Sequence, residues 1–501
     1  MLRGGITIMN EKMIIDSLNN KRNFTRLYVL FVIISLVNII TIASPLTLVV
    51  TLPQYFVVIM TLIKGDVRRS ILFHFSFVML SLSSQGTLGM FDTEAFSLFN
   101  YGTIKLVGPI RACYVMNIIY CIVLMGSSYK INKTLLLYRF YNVILYLCGS
   151  AILIGIFGLL INSYYSFDSF IDNSIYAFVL VTSLYIILKV ANIEFIQTAY
   201  HLLLAGIMAG IAASFLCYVS GSVVSHYSVY DIAYTSDVLM LALALVIGIP
   251  YIRQKFLLWL SLALYGILLG SSLGGKGVFG VAFSVLSLTY LIFFDKRTIK
   301  KLNGAEKVLR PAVVLIIIGA TIYTIGHIST SDSMASYKIG AALSMISGDL
   351  ESMGRSPYIR VASLINIIND GTNNPLALLF GHGYGGYFQD NLGLFFGINL
   401  SDAWKDNVIA TGRFTSGHDA MVTIPLYNGL LGVFLSLRIS LLYIKRMGYN
   451  FLNSTIFFWF ILMFYFNTIY AMIGIFGLIA AEYNVNGDKT LLLMNKDHIR
   501  D

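Results

Sequence analysis

Phe140-Tyr-Asn-Val-Ile-Leu-Tyr-Leu-Cys-Gly-Ser-Ala-Ile-Leu-Ile-Gly-Ile-Phe-Gly-Leu-Leu-Ile-Asn162 runs on without one charged side chain. About 20 apolar residues in a helix cross the hydrocarbon layer of a bilayer, whereas a soluble surface helix of that length keeps a polar face. The flanks add a direction. Lys130, Lys133 and Arg139 precede the run, and the loop that follows it, residues 163–173, contains neither Lys nor Arg. Basic residues collect on cytoplasmic loops, so this stretch reads as a membrane helix that starts inside and ends outside.

The whole chain repeats that pattern. Of 501 residues, 57% are hydrophobic and only 12% charged, about half the charge of a soluble domain. Further apolar runs fall at 27–43, 46–63, 70–84, 104–126, 174–189, 198–220, 236–251, 255–271, 277–294, 311–328 and 418–443. A last run, 452–481, is either one long tilted helix or a tight hairpin. The expected fold is an all-α polytopic integral membrane protein with about 13–14 transmembrane helices. Polar, basic residues lead straight into the first run with no small-residue cleavage site, so no removable signal is expected. Cys113, Cys121, Cys148 and Cys217 lie inside apolar runs without a CxxC pair and read as packing residues.

The formal charge of +10 invites a nucleic-acid reading, but its placement excludes one. With the N-terminus inside, every second loop is basic: Lys64/Arg68/Arg69, Lys130/Lys133/Arg139, Lys189, Arg253/Lys255, the cluster Lys296–Arg310, and Lys445/Arg446. The alternate loops 163–173 and 221–235 carry no Lys or Arg. Basic excess of this kind orients a membrane protein. The basic tail (Lys489, Lys496, Arg500) prefers the inside and favours splitting 452–481 into a hairpin. The expected organisation is a cytoplasmic segment 1–26, a bundle of about 11 spans over 27–328, an outer loop 329–417, C-terminal spans 418–481 and a cytoplasmic tail 482–501.

An outer loop of that size is functional or disordered. Apolar residues at helical spacing in 357–368 argue for order, with a short amphipathic helix lying on the membrane or on the other helices. Cations outside the membrane run against the charge rule, and the loop supplies several, among them Arg355, Arg360 and Arg413. Its seven carboxylates outnumber its five Lys/Arg, so internal pairing is the competing reading. Arg111, in Val107-Gly-Pro-Ile-Arg-Ala-Cys113, stands about a turn into a span, where it either serves function or snorkels to a lipid phosphate. Lys276 sits in Leu273-Gly-Gly-Lys-Gly277, where flexible backbone N–H groups of Gly275 and Gly277 beside an ammonium make an anion-binding concavity. The turn Gly381-His-Gly-Tyr-Gly-Gly-Tyr387, with Gly381 and Gly383, allows close approach of backbone to a ligand, and Tyr384, Tyr387 and Phe388 offer aromatic faces. Finally, Gly417-His418-Asp419 heads an apolar run. His418 is either a polar residue at a helix start or a proton acceptor, which the positive helix end helps keep neutral.

Taken in order, Gly275-Lys276-Gly277, Arg360 with Pro375-Leu-Ala-Leu-Leu-Phe-Gly-His-Gly383, and Gly417-His418-Asp419 with Tyr427-Asn-Gly-Leu-Leu-Gly432 resemble the pattern of the bacterial O-antigen polymerase/ligase superfamily. The resemblance covers residues 260–445, with lysine at 276 where the family has arginine and Asp419 where it has asparagine. It implies a metal-independent, inverting glycosyltransferase of the inner membrane, facing the periplasm. The enzyme would join polyprenyl-pyrophosphate-linked saccharides into O-antigen or surface polysaccharide. His418 would be the general base. Arg360 and Lys276, with Arg413, Arg355 and Arg111, would bind pyrophosphate, and the turns at Gly275, Gly277, Gly381 and Gly383 would lie near substrate. No cofactor is implied. The implied partners are the lipid-linked saccharides, the bilayer and a chain-length-regulating membrane protein, with no nucleic acid. A ligase acting on lipid A-core, a lipid-linked saccharide flippase, and a metal-dependent enzyme using Asp92 and Glu94 are the alternatives.

Overall fold

The computed structural model describes residues 20–41, 44–81, 99–131, 133, 135–220, 254, 256–261, 263–264, 312, 315, 319, 355–400, 404, 406–417 and 420–446. It is mostly helical. The elements in chain order are α1 (Lys21–Ile40), α2 (Leu48–Ile63), α3 (Val67–Leu80), the two-stranded hairpin β1 (Lys105–Val107) and β2 (Ile110–Arg111), and α4 (Ala112–Met125). Then come α5 (Leu136–Ile161), α6 (Phe167–Val190) and α7 (Ile193–Val219). The later segment holds α8 (Arg355–Asn373), α9 (Pro375–Phe380), β3 (Phe388–Gln389), α10 (Asp406–Thr411), β4 (Arg413–Phe414) and α11 (Ala420–Arg446). Among the described residues, five helices are long and apolar enough to cross a membrane: α1, α2 with its opening turn, α5, α6 and most of α11. The runs at 236–251, 277–294 and 452–481 lie outside the described residues, as do the segment 1–19, residues 329–354 and the tail.

Helices overrun their apolar runs where polar residues cap them. Asn20 accepts a hydrogen bond from Arg22 N at 3.0 Å, so α1 starts at Lys21, ahead of the run expected from 27. The run 104–126 is a correction. Gly108, with φ of 53°, turns the chain into the β1–β2 hairpin, and the helix begins only at Ala112. Arg111 is thus the residue before a helix, not a turn into one. The amphipathic helix expected at 357–368 is real and longer, Arg355–Asn373. It buries Ile359, Ala362, Ser363, Asn366 and Ile367 and packs on α9, α11 and β3. That settles its seat on the protein's own helices. The cysteines are buried free thiols, as packing residues should be.

Pairs of neighbours build the bundle: α1 against α7, α2 against α3, α4 and α5 against α6, and α3 against α7. Between them runs a buried polar network. Asn117 Nδ2 donates to Thr182 Oγ1 (3.3 Å) and Ser183 Oγ (3.0 Å), so its Oδ1 is the acceptor for His74 Nε2 at 3.0 Å. His74 Nδ1 therefore accepts from the Tyr101 hydroxyl at 2.8 Å. Tyr55, stacked on Tyr101 with centroids 4.1 Å apart, donates its own hydroxyl to Tyr101 O. Every link ties a different element, so the network fixes the relative placement of α2, α3, α4 and α6.

The bundle has two unlike ends. At one, Lys189 Nζ donates to Tyr129 O (2.8 Å) and Leu124 O (3.4 Å), and the Arg68 guanidinium lies 4.9 Å from the Tyr129 ring centroid. At the other, the Lys/Arg-free loop between α5 and α6 meets the segment 381–415. Replacing Asn117 by Ala strands the His74 donor, and the expected cost is about 1–2 kcal/mol of stability. A lower thermal midpoint in detergent checks it.

Candidate functional site

The site is built where helix α11 breaks. Gly429 adopts φ 60° and ψ −159°, and Pro425 removes one N–H from the turn before it. The carbonyls of Leu426 and Tyr427 consequently lose their usual partners in the helix. The turn 381–387 supplies replacements: His382 N donates to Leu426 O at 2.7 Å and Gly383 N to Tyr427 O at 3.1 Å. The same turn reaches across to the other helices. Tyr384 N donates to Ala151 O (2.9 Å), Ser166 N to Gly385 O (2.9 Å), and the Tyr165 hydroxyl to His382 O (2.9 Å).

This docking accounts for the glycines. A Cβ on Gly383, whose φ is 69°, would sit 2.5 Å from Gly155 N and 2.7 Å from Ala151 O. One on Gly429 would meet Gly381 N at 2.6 Å. Gly381 faces Tyr427 and Asn428 backbone in turn. The space beside Gly381 and Gly383 is filled by protein backbone. Tyr384 and Phe388 are buried as well, 2% and 0% exposed. This corrects the expectation that their faces are open to ligand. Phe388 instead joins Phe395, Trp404 and Phe414 in an aromatic cluster with centroids 4.6–6.4 Å apart.

Two carboxylates of this segment, Asp370 and Asp390, are occupied with folding it. Asp390 accepts from Asn366 Nδ2 (2.8 Å), Leu394 N (2.8 Å) and Phe395 N (2.7 Å). Asp370, near the end of α8, accepts from Gln389 N at 3.2 Å and from Asn391 Nδ2. They organise loops rather than neutralise arginines.

Arg413 pairs with Gln389 across β3–β4. Its guanidinium carbon lies 3.7 Å from the Tyr164 ring centroid and 5.7 Å from that of Tyr387. Tyr387 in turn meets Tyr165 edge-on at 6.2 Å. Among the described residues no carboxylate pairs with Arg413. A planar cation clamped by rings, with its edge left over, is poised to grip a polar ligand. His382 is tied to this group through its backbone, whose O accepts from the Tyr165 hydroxyl. Burial pushes its imidazole below the ordinary histidine range, against the opposing pull of the Asp370 charge. Its ring is a neutral donor–acceptor at neutral pH.

The sequence candidates divide as follows. Arg413 joins this cluster. Arg360 is half-buried on α8, and Arg355 is that helix's first residue. Arg111 keeps apart, with its contacts to Gly102 O (3.4 Å) and the Tyr114 ring (5.7 Å). His418, Asp419, Lys276, Gly275, Gly277, Asp92 and Glu94 lie outside the described residues. The chain leading to His418 is firmly held, however. Thr415 O accepts from the Tyr427 hydroxyl (2.8 Å), Thr415 Oγ1 from Ser169 (2.9 Å), and Ser416 O from Trp404 Nε1 (3.0 Å). Tyr164, Tyr165 and His382 were missed as candidates. Their only signal in sequence is a Tyr-Tyr pair in a Lys-free loop and a histidine among glycines. Among the described residues no three His, Cys, Asp or Glu converge as a metal-ligand set.

Fold and site thus define a helical protein with membrane-length helices and a cation–aromatic cluster at the end away from Lys189. Comparison of the chain with protein-family models, curated proteins and solved structures finds no match.

Two outcomes are expected here. Gly383→Ala forces the turn off Gly155 and costs about 1–3 kcal/mol, read as a drop in thermal midpoint. The second concerns pH. His382 binds its proton less readily folded than unfolded, so stability present above about pH 6.5 is lost on acidification below it. Thermal midpoints between pH 7.5 and 5 fall more steeply for the native protein than for His382→Gln.

Proposed function

We propose that the chain is an O-antigen or surface-polysaccharide polymerase. It joins polyprenyl-pyrophosphate-linked repeat units at the periplasmic face of the bacterial inner membrane. The observation that carries the reading is the meeting of the Lys/Arg-free loop with a cation- and tyrosine-lined segment, next to the anchored residues Thr415 and Ser416 that lead toward His418. A polymerase of lipid-linked saccharides needs such a surface on the side where its substrates are displayed.

On this reading His418 takes the proton from an acceptor hydroxyl as that oxygen attacks the anomeric carbon of the donor. The bond from that carbon to the diphosphate oxygen breaks, and the diphosphate leaves with the electron pair and inverts the centre. Arg360 and Lys276, with Arg413, Arg355 and Arg111, are the candidate cations for the charge that develops on the leaving group. The diphosphate already activates the sugar, so the step draws on no nucleotide. A chain-length-regulating membrane protein is the expected partner.

The broken helix α11 favours one rival, a lipid-linked saccharide transporter, because transporters bind cargo at helix breaks. Here the two carbonyls released at the break are capped by the chain's own turn instead of opening onto a ligand. That weighs toward the enzyme.

In a polymerase-null host complemented with His418→Ala, the lipopolysaccharide ladder is expected to collapse to a single repeat unit. A full ladder at normal expression contradicts the mechanism. Loss of capped lipid altogether identifies a ligase.

A further inference from the structure

Helix α9 lies far from the ends of the helices it touches. A Cβ on Gly429 would meet Leu378 O and Leu379 C at 2.6 Å, so the middle of α9 rests directly on the break in α11. Gly429 stands seven residues inside the apolar span Val422–Tyr443, about 10 Å from its start. The neighbouring Asn428 fixes the level on α5: its Nδ2 donates to Leu147 O (2.8 Å) and Ser150 Oγ (3.2 Å). Those two residues precede the end of α5 at Ile161 by fourteen and eleven positions, roughly 17–21 Å along the axis. Either depth falls inside a hydrocarbon layer about 30 Å thick.

Backbone at that depth must find its partners within the protein, and here it does. Past α9, Gly381 N donates to Ala377 O (2.8 Å), and the next three N–H groups donate to Leu426 O, Tyr427 O and Ala151 O. Leu376, Leu379 and Phe380 of α9 are exposed and apolar. On α11 an exposed stripe, Leu430, Phe434, Leu437 and Leu441, recurs every three or four residues and begins one residue from the contact with α9. One medium bathes both faces, and along a helix of membrane length that medium is lipid. Water marks the other limit. Asn373 and Asn374 at the head of α9, and Asp168 and Asp172 near the start of α6, are exposed. The six residues of α9 thus run from a wet junction to a dry break, a descent of roughly 8 Å.

We propose that α9 and the glycine turn after it form a re-entrant hairpin, with Leu379 and Phe380 seated among lipid acyl chains. The leaflet is the one at the end away from Lys189, the outer leaflet on the function proposed above. The segment ahead of α11 is then not a loop lying wholly in water. The inference rests on the depth of the helix contacts and holds whether or not the chain is a polymerase.

The test places a nitroxide on single cysteines in the full chain, Asn373→Cys, Leu376→Cys, Leu379→Cys and Phe380→Cys, in phosphatidylcholine nanodiscs. Power saturation reads collisions with dioxygen, which concentrates in hydrocarbon, and with a neutral nickel chelate, which stays in water. The native thiols are buried, and the unsubstituted chain supplies the blank. Labels at 379 and 380 are expected to favour dioxygen and the label at 373 the chelate, with 376 between them. If Phe380→Cys does not fold, the other three variants carry the gradient. Chelate access at 379 and 380 equal to that at 373 puts α9 in water and overturns the proposal. Access by neither reagent means that a protein surface, from this chain or a second copy, covers the face, and this also overturns it.

Discussion

Two carbonyl oxygens, those of Leu426 and Tyr427, set the terms for this end of the molecule. The break at Gly429 takes them out of the hydrogen-bond ladder of α11, and buried backbone acceptors without partners are costly. The N–H groups of His382 and Gly383 answer them. To do so the turn must lie flat on three helices at once, which demands glycine at 383 and at 155, where any side chain would collide with backbone. A helix defect, a glycine-rich turn and a helix hairpin more than two hundred residues upstream are therefore one construction.

Once the turn is seated, the rest of the segment follows from it. Asp370 and Asp390 fold the loops beyond it by accepting backbone and amide N–H groups, and the aromatic cluster around Phe388 closes over them. Arg413 emerges from β4 against Tyr164, on the loop whose partner residue Ser166 already bonds the turn. Thr415 and Ser416 are then pinned by Tyr427, Ser169 and Trp404. The residues approaching His418 are positioned by side chains from three separate parts of the chain. On the proposed function this rigidity is what orients a base toward its acceptor.

Much of this was legible in the sequence, for physical reasons. Uncharged runs such as 140–162 announce membrane-length helices because nothing else accommodates that many apolar residues. The helix over 357–368 showed in its spacing, and the structure extends it to Arg355–Asn373. Sequence could not show that Gly381 and Gly383 face protein, since a glycine needed for a ligand and one needed for close packing look alike. The hairpin at 105–111 was hidden because Leu106, Val107 and Ile110 are as apolar as any span, and Gly108-Pro109 alone marks the turn. Tyr164 showed only as half of a Tyr-Tyr pair, because its meaning comes from Arg413, 249 residues away in the chain.

The docked turn is also the most direct place to test the account. Hydrogen exchange of the full chain in nanodiscs, followed by mass spectrometry on peptides covering 381–388, reports on the amides of His382, Gly383 and Tyr384. The account expects these amides to be protected to the same degree as the bodies of α5 and α11, because they are bonded to carbonyls of those helices. Exchange at the rate of an open loop, with α5 and α11 still protected, would contradict it.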